Sequence, residues 1–79
     1  MGEFDVMFSF NGVEYLATVN QEKNIYHVVP KDLHLQQSFG ETMLLEANGD
    51  FAWKSYGPEH YQYVLAIVIA LKRLLGFSN

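Results

Sequence analysis

The sequence predicts an α+β fold, an antiparallel β-meander of four to six strands with one long C-terminal helix packed on one face. Two observations carry most of that expectation. Aromatic-rich alternating segments flank an Asn-Gly pair near the start, and a charge-free apolar stretch from Tyr63 to Leu71 lies near the end. A helix that is apolar around most of its girth must be buried against something larger, and short strands are all that precedes it.

Residues 4–10, FDVMFSF, set Phe4, Val6, Phe8 and Phe10 on one face and Asp5, Met7 and Ser9 on the other. Period two with this aromatic content predicts a half-buried strand. Asn11-Gly12 follows, and both central residues of a type I′ turn need the positive φ that Asn and Gly tolerate. Val13, Tyr15, Ala17 and Val19 then alternate with Glu14, Leu16, Thr18 and Asn20. A two-residue loop fixes the register: Phe10 opposite Val13, Phe8 opposite Tyr15, Val6 opposite Ala17, Phe4 opposite Val19. The other face pairs Met7 with Leu16, between Ser9–Glu14 and Asp5–Thr18.

The polar cluster Asn20 to Asn24 predicts a turn, and Ile25 to Val29 a third strand of β-branched and aromatic residues. Pro30-Lys31-Asp32 punctuates it. Leu33 and Leu35 alternate with His34 and Gln36, which reads as a weak strand over Leu33–Gln37, and Ser38 to Gly40 reads as a loop. Thr42–Glu46 and Phe51–Lys54 flank a second Asn-Gly, Asn48-Gly49, so a second hairpin is expected. Gly57 precedes proline and is the expected N-cap, with Pro58 at the first helical position and Glu59 complementing the positive end. Lys72 and Arg73 suit the last turn, Gly76 the left-handed position beyond it, and Phe77 a Schellman contact. This makes a helix of roughly 19 residues, about 28 Å long.

With 79 residues, the chain reads as a single domain, 1–79, with a sheet over 1–55 and the helix over 57–76. It has no cysteine, so it carries no disulfide framework, thiolate zinc site or cysteine nucleophile. That absence fits an intracellular protein, and the acidic, alternating start does not look like a signal peptide. A cytoplasmic protein is expected. The net charge is −4 and the five basic residues are scattered, which argues against nucleic-acid binding. Lys72 and Arg73 cut the apolar run far short of the roughly 20 residues a membrane span needs.

No catalytic constellation is visible. His27, His34 and His60 lack metal-ligand spacing, although a strand could bring one beside Asp32 or Glu41. No serine sits in a nucleophile elbow, and the nine carboxylates fall mostly at turns and alternate strand positions. Phe4, Phe8, Phe10 and Tyr15 share a face that the helix must cover, so they read as core and not as a base-stacking platform. No cofactor, metal or small molecule is expected.

Two places are more apolar than a monomer needs. Met7 and Leu16 pair on the outer face of the first hairpin. On the helix, a wheel turns Tyr63, Val64, Ile67, Val68, Ala70, Leu71, Leu74 and Leu75 toward the sheet. It leaves Leu65 and Ile69 outward, among Gln62, Lys72 and Arg73. The sequence therefore points to a non-catalytic interaction or regulatory domain that forms a homodimer or binds a protein partner through Met7, Leu16, Leu65 and Ile69. The alternative is a small-ligand-binding or enzymatic domain with a pocket between helix and sheet or at a dimer seam. Tyr26, His27, Tyr56 and His60 are the residues from which such a polar cluster would be built.

Overall fold

The computed structural model describes residues 2–77. Its elements are β1 (Gly2–Phe10), β2 (Val13–Glu22), β3 (Ile25–Pro30), α1 (Leu33–Phe39), β4 (Thr42–Ala47), β5 (Asp50–Ala52) and α2 (Pro58–Leu75). The strands form one antiparallel sheet in chain order, β1-β2-β3-β4-β5. The sheet curls, and α2 completes the predicted α+β arrangement.

The first hairpin has the register the turn dictates, from Phe10 opposite Val13 to Phe4 opposite Val19, with Met7 opposite Leu16. Asn11 and Gly12 take φ of 53° and 77°, and Asn48 and Gly49 repeat this with 57° and 79°. Both Asn-Gly pairs therefore turn as type I′ geometry requires. The turn expected over Asn20–Asn24 is narrower. Asn20 and Gln21 stay in the ladder opposite His27 and Tyr26, leaving Lys23-Asn24 between Glu22 and Ile25. Lys23 bears the local strain, at φ 58°.

The expected weak strand over Leu33–Gln37 is instead the helix α1, and Ser38 and Phe39, expected in a loop, form its last turn. Asp32 decides the outcome: its carboxylate accepts the Leu35 N–H at 3.0 Å, an N-cap that starts a helix. Leu35 is buried while Leu33 is exposed, so the two leucines do not share a buried strand face. β5 is also shorter than expected. After Ala52 the chain leaves the ladder, and the Trp53 ring lies 5.6 Å from that of Tyr61 on α2.

α2 begins and ends as its residues predict. Gly57 adopts φ 110°, a value disfavoured for residues with a Cβ, and its carbonyl accepts the Tyr61 N–H at 3.0 Å. At the far end Gly76 is left-handed, its N–H reaches the Arg73 carbonyl, and the Phe77 N–H reaches that of Lys72 at 2.9 Å. These are the two bonds of a Schellman motif. Tyr63, Val64, Ile67, Val68 and Leu71 are buried. They pack into one cluster with Val6, Phe8 and Phe10 of β1 and the inward residues of the other strands. Leu74, expected toward the sheet, is 55% exposed. At that end β5 holds a different side of the helix, through Lys72–Asp50 and through Phe77 beside Phe51.

Candidate interaction surface

β1 begins the meander, so only one of its edges is used. β2 takes that edge, and among the described residues no strand pairs with the other. The open edge is nine residues long and its pairing with β2 runs unbroken, without a bulge. Natural edge strands are usually blunted by shortness, proline, lysine or bulges. β5, at the other margin, is blunted by its length of three residues. β1 is long and has no proline, lysine or bulge; its two charges, Glu3 and Asp5, lie in its first half, and Val6 to Phe10 carries none.

A groove of about 770 Å³ runs between this edge and α2. β1 supplies one wall from Asp5 to Phe10, and Gln62, Leu65, Ala66, Ile69, Ala70 and Arg73 of α2 supply the other. Among the residues singled out from sequence, the groove brings together Met7, Leu65 and Ile69. Met7 is 56% exposed and Ile69 47%, while Leu65 is half-buried. Leu16 stays opposite Met7 on the outer face of β2, 43% exposed, and does not line the groove. Sequence reasoning missed Leu74, which lines this groove, and the open edge itself. The first hairpin gave a partial signal, since it pairs one side of β1 and leaves the other open unless a later strand returns to it. Near the rim, the Asp5 carboxylate sits 3.2 Å from Lys31 Nζ and accepts from the Thr18 hydroxyl at 3.4 Å.

A second cavity, about 620 Å³, opens where β5 ends, against Thr42, Met43, Trp53, Tyr56 and His60. The hydroxyl of Thr42 and the indole N–H of Trp53 are buried there without a hydrogen-bond partner among the described residues. Tyr56 and His60 meet at this cavity, the Tyr56 N–H donating to His60 Nδ1 at 3.3 Å. Tyr26 instead lies in the core, its phenol pushed up by burial and then by the nearby Glu46 charge. His27 Nδ1 is 2.8 Å from Glu41 Oε2, which realises one of the two histidine–carboxylate meetings the chain allowed. This pair is largely exposed, and no third ligand joins it: the described residues hold no metal-ligating group of three. His34 is exposed on α1.

No described helix is long and apolar enough to cross a membrane. Comparison with protein-family models, curated proteins and solved structures finds no match, so the surface is read from its own chemistry.

Proposed function

We propose that the protein is a small, non-catalytic interaction or regulatory domain of the cytoplasm that self-associates through the groove between β1 and α2. One observation supports this reading above the others: a long, bulge-free strand edge lies beside a partly exposed apolar helix stripe. The edge offers unpaired N–H and C=O groups as a template for another strand, the stripe leaves apolar surface in water, and one partner covers both. Sedimentation equilibrium over a roughly hundredfold concentration range tests it, because dimer content follows mass action. The parent chain is expected to dimerise, and the double variant Leu65→Glu/Ile69→Glu to remain a folded monomer. A parent that stays monomeric throughout, or a variant that associates as the parent does, rejects the reading.

A second reading, small-ligand binding, is supported by the Thr42 and Trp53 donors buried at the second cavity. Trp53 is the sole tryptophan, so its emission reports on this cavity alone. A saturable change on titration with benzoate or phenol supports this reading, and an unchanged spectrum counts against it.

A further inference from the structure

We infer that the second copy adds as a strand, β1 against β1 and antiparallel, in the register that sets Val6 opposite the partner's Val6. The inference rests on the self-association proposed above and specifies how it is built.

The backbone restricts the choices. In an antiparallel ladder, residues alternate between those that turn both hydrogen-bonding groups toward the neighbour and those that turn them away. A two-residue turn closes between the residues flanking it, here Phe10 and Val13. Phe10, Phe8, Val6 and Phe4 therefore direct their backbone groups to β2. Ser9, Met7, Asp5 and Glu3 direct theirs to the open edge. An antiparallel copy must pair within this outward set, and three two-fold registers fit near the strand centre.

Centring on Asp5 sets that carboxylate opposite its own image, which is unfavourable. Centring on Met7 carries Glu3 past the strand to the partner's Asn11, a turn residue at φ 53° that cannot continue a ladder. Centring on Val6 lays Gly2–Phe10 on itself from end to end. Asp5 then faces the partner's Met7, Glu3 faces the partner's Ser9, and no carboxylate meets its image.

The helix selects a second copy over an unrelated strand. A two-fold that makes the strands antiparallel also makes the two α2 helices antiparallel, on the same face of one continuous sheet. Gln62, Ala66, Ile69 and Arg73 line the groove at three- and four-residue spacing, and Glu59 is the next position on that stripe. Antiparallel apposition brings Leu65 to the partner's Ile69, and Ile69 to the partner's Leu65. It also brings the acidic first turn, with Glu59, alongside the basic last turn, with Arg73, once at each end. The face is complementary to itself in charge.

Amide exchange on the full chain tests the strand addition. In concentrated solution the outward N–H groups of Asp5, Met7 and Ser9 are expected to exchange at least about tenfold more slowly than in dilute solution. A dimer by sedimentation whose three amides keep the same rates overturns the strand addition and leaves self-association standing. A monomer at every concentration overturns both. The register is tested with Glu3→Cys and Ser9→Cys chains, whose thiols are unique because the parent has none. When equal amounts of the two are mixed and oxidised, the mixed disulfide is expected to exceed clearly the twofold excess over each like-with-like product that random pairing gives. A mixture at or below the random 1:2:1 proportion overturns the Val6-centred register. Finally, Met7→Pro removes an N–H that β2 does not use, so the hairpin is expected to persist while association is lost. A folded Met7→Pro chain that dimerises like the parent overturns the inference.

Discussion

Phe39 lies flat on Tyr63, with ring centroids 4.1 Å apart and planes 9° from parallel. The stack ties the short helix α1 to the long helix α2, while Phe8 and Phe10 of β1 meet the same tyrosine edge-on. A seven-residue helix has little stability of its own and depends on such contacts. Phe39→Ala is expected to cost about 2–3 kcal/mol, from lost burial and the lost ring pair. Phe39→Leu should cost less. Urea unfolding followed by far-ultraviolet circular dichroism measures both, and an unchanged midpoint for the alanine variant would show that α1 is held by something else.

The Tyr63 hydroxyl is buried with no hydrogen-bond partner among the described residues, and burial pushes its ionisation well above the ordinary value near 10. Tyr63→Phe keeps the ring and removes the orphaned group, so stability should stay level or rise by about 1 kcal/mol. The pH dependence follows from the direction of the shift. Above pH about 10 the unfolded chain ionises this tyrosine while the folded chain does not, so stability present below that value is lost as pH rises. Tyr26, raised for the same reason, adds to the loss. Urea midpoints at about pH 9 and about pH 11 should therefore diverge in favour of the phenylalanine variant.

Lys23 holds φ at 58° in the β2–β3 turn, a conformation that opposes a side chain with a Cβ. Lys23→Gly should raise stability by up to about 1 kcal/mol, after allowing for the extra freedom glycine has when unfolded. Gly12→Ala, at φ 77°, should lower it by a similar amount, about 1 kcal/mol. Thermal melting of the pair distinguishes backbone strain from loss of side-chain contacts, because the added Cβ at Gly12 meets nothing within 4 Å.

Asp50 receives the Lys72 ammonium at 2.8 Å and the Phe51 N–H at 2.8 Å, and these hold its carboxyl below the usual range, Lys72 most of all. A depressed folded value means stability that is present above the unfolded value and lost as pH falls through the folded one. Asp50→Asn should therefore lower the urea midpoint slightly at neutral pH, with the gap closing below pH about 4. Added salt should narrow the neutral-pH gap, since this carboxylate is exposed.

The sheet was legible wherever turn chemistry and alternation agreed. Asn11-Gly12 fixed nine cross-strand pairs because each apolar residue of β1 then met one of β2. α2 was legible from its ends, where Gly57-Pro58 and Gly76 leave the backbone little choice. α1 was not, because two turns of helix give the leucines no room to repeat, and Leu33 and Leu35 at two-residue spacing imitate a strand. The deciding signal was Asp32, whose cap works through one backbone N–H and leaves no mark on hydrophobic periodicity. The candidate surface was half legible. Register exposed Met7 and the helical wheel exposed Ile69, but Leu74 depended on which strand the helix end meets. That is a tertiary fact, set here by Asp50 and Phe51 reaching Lys72 and Phe77.

The meander places its first strand and its last helix in contact, and this orders events during synthesis. Each strand can pair with its predecessor as it emerges, but the aromatic face of β1 and β2 waits for α2, roughly fifty residues later. At translation speeds of about 5–20 residues per second, Phe8 and Phe10 stay uncovered for several seconds on the ribosome. A nascent chain in that interval is a sheet without its lid, and chaperones that hold apolar surface have their opportunity there.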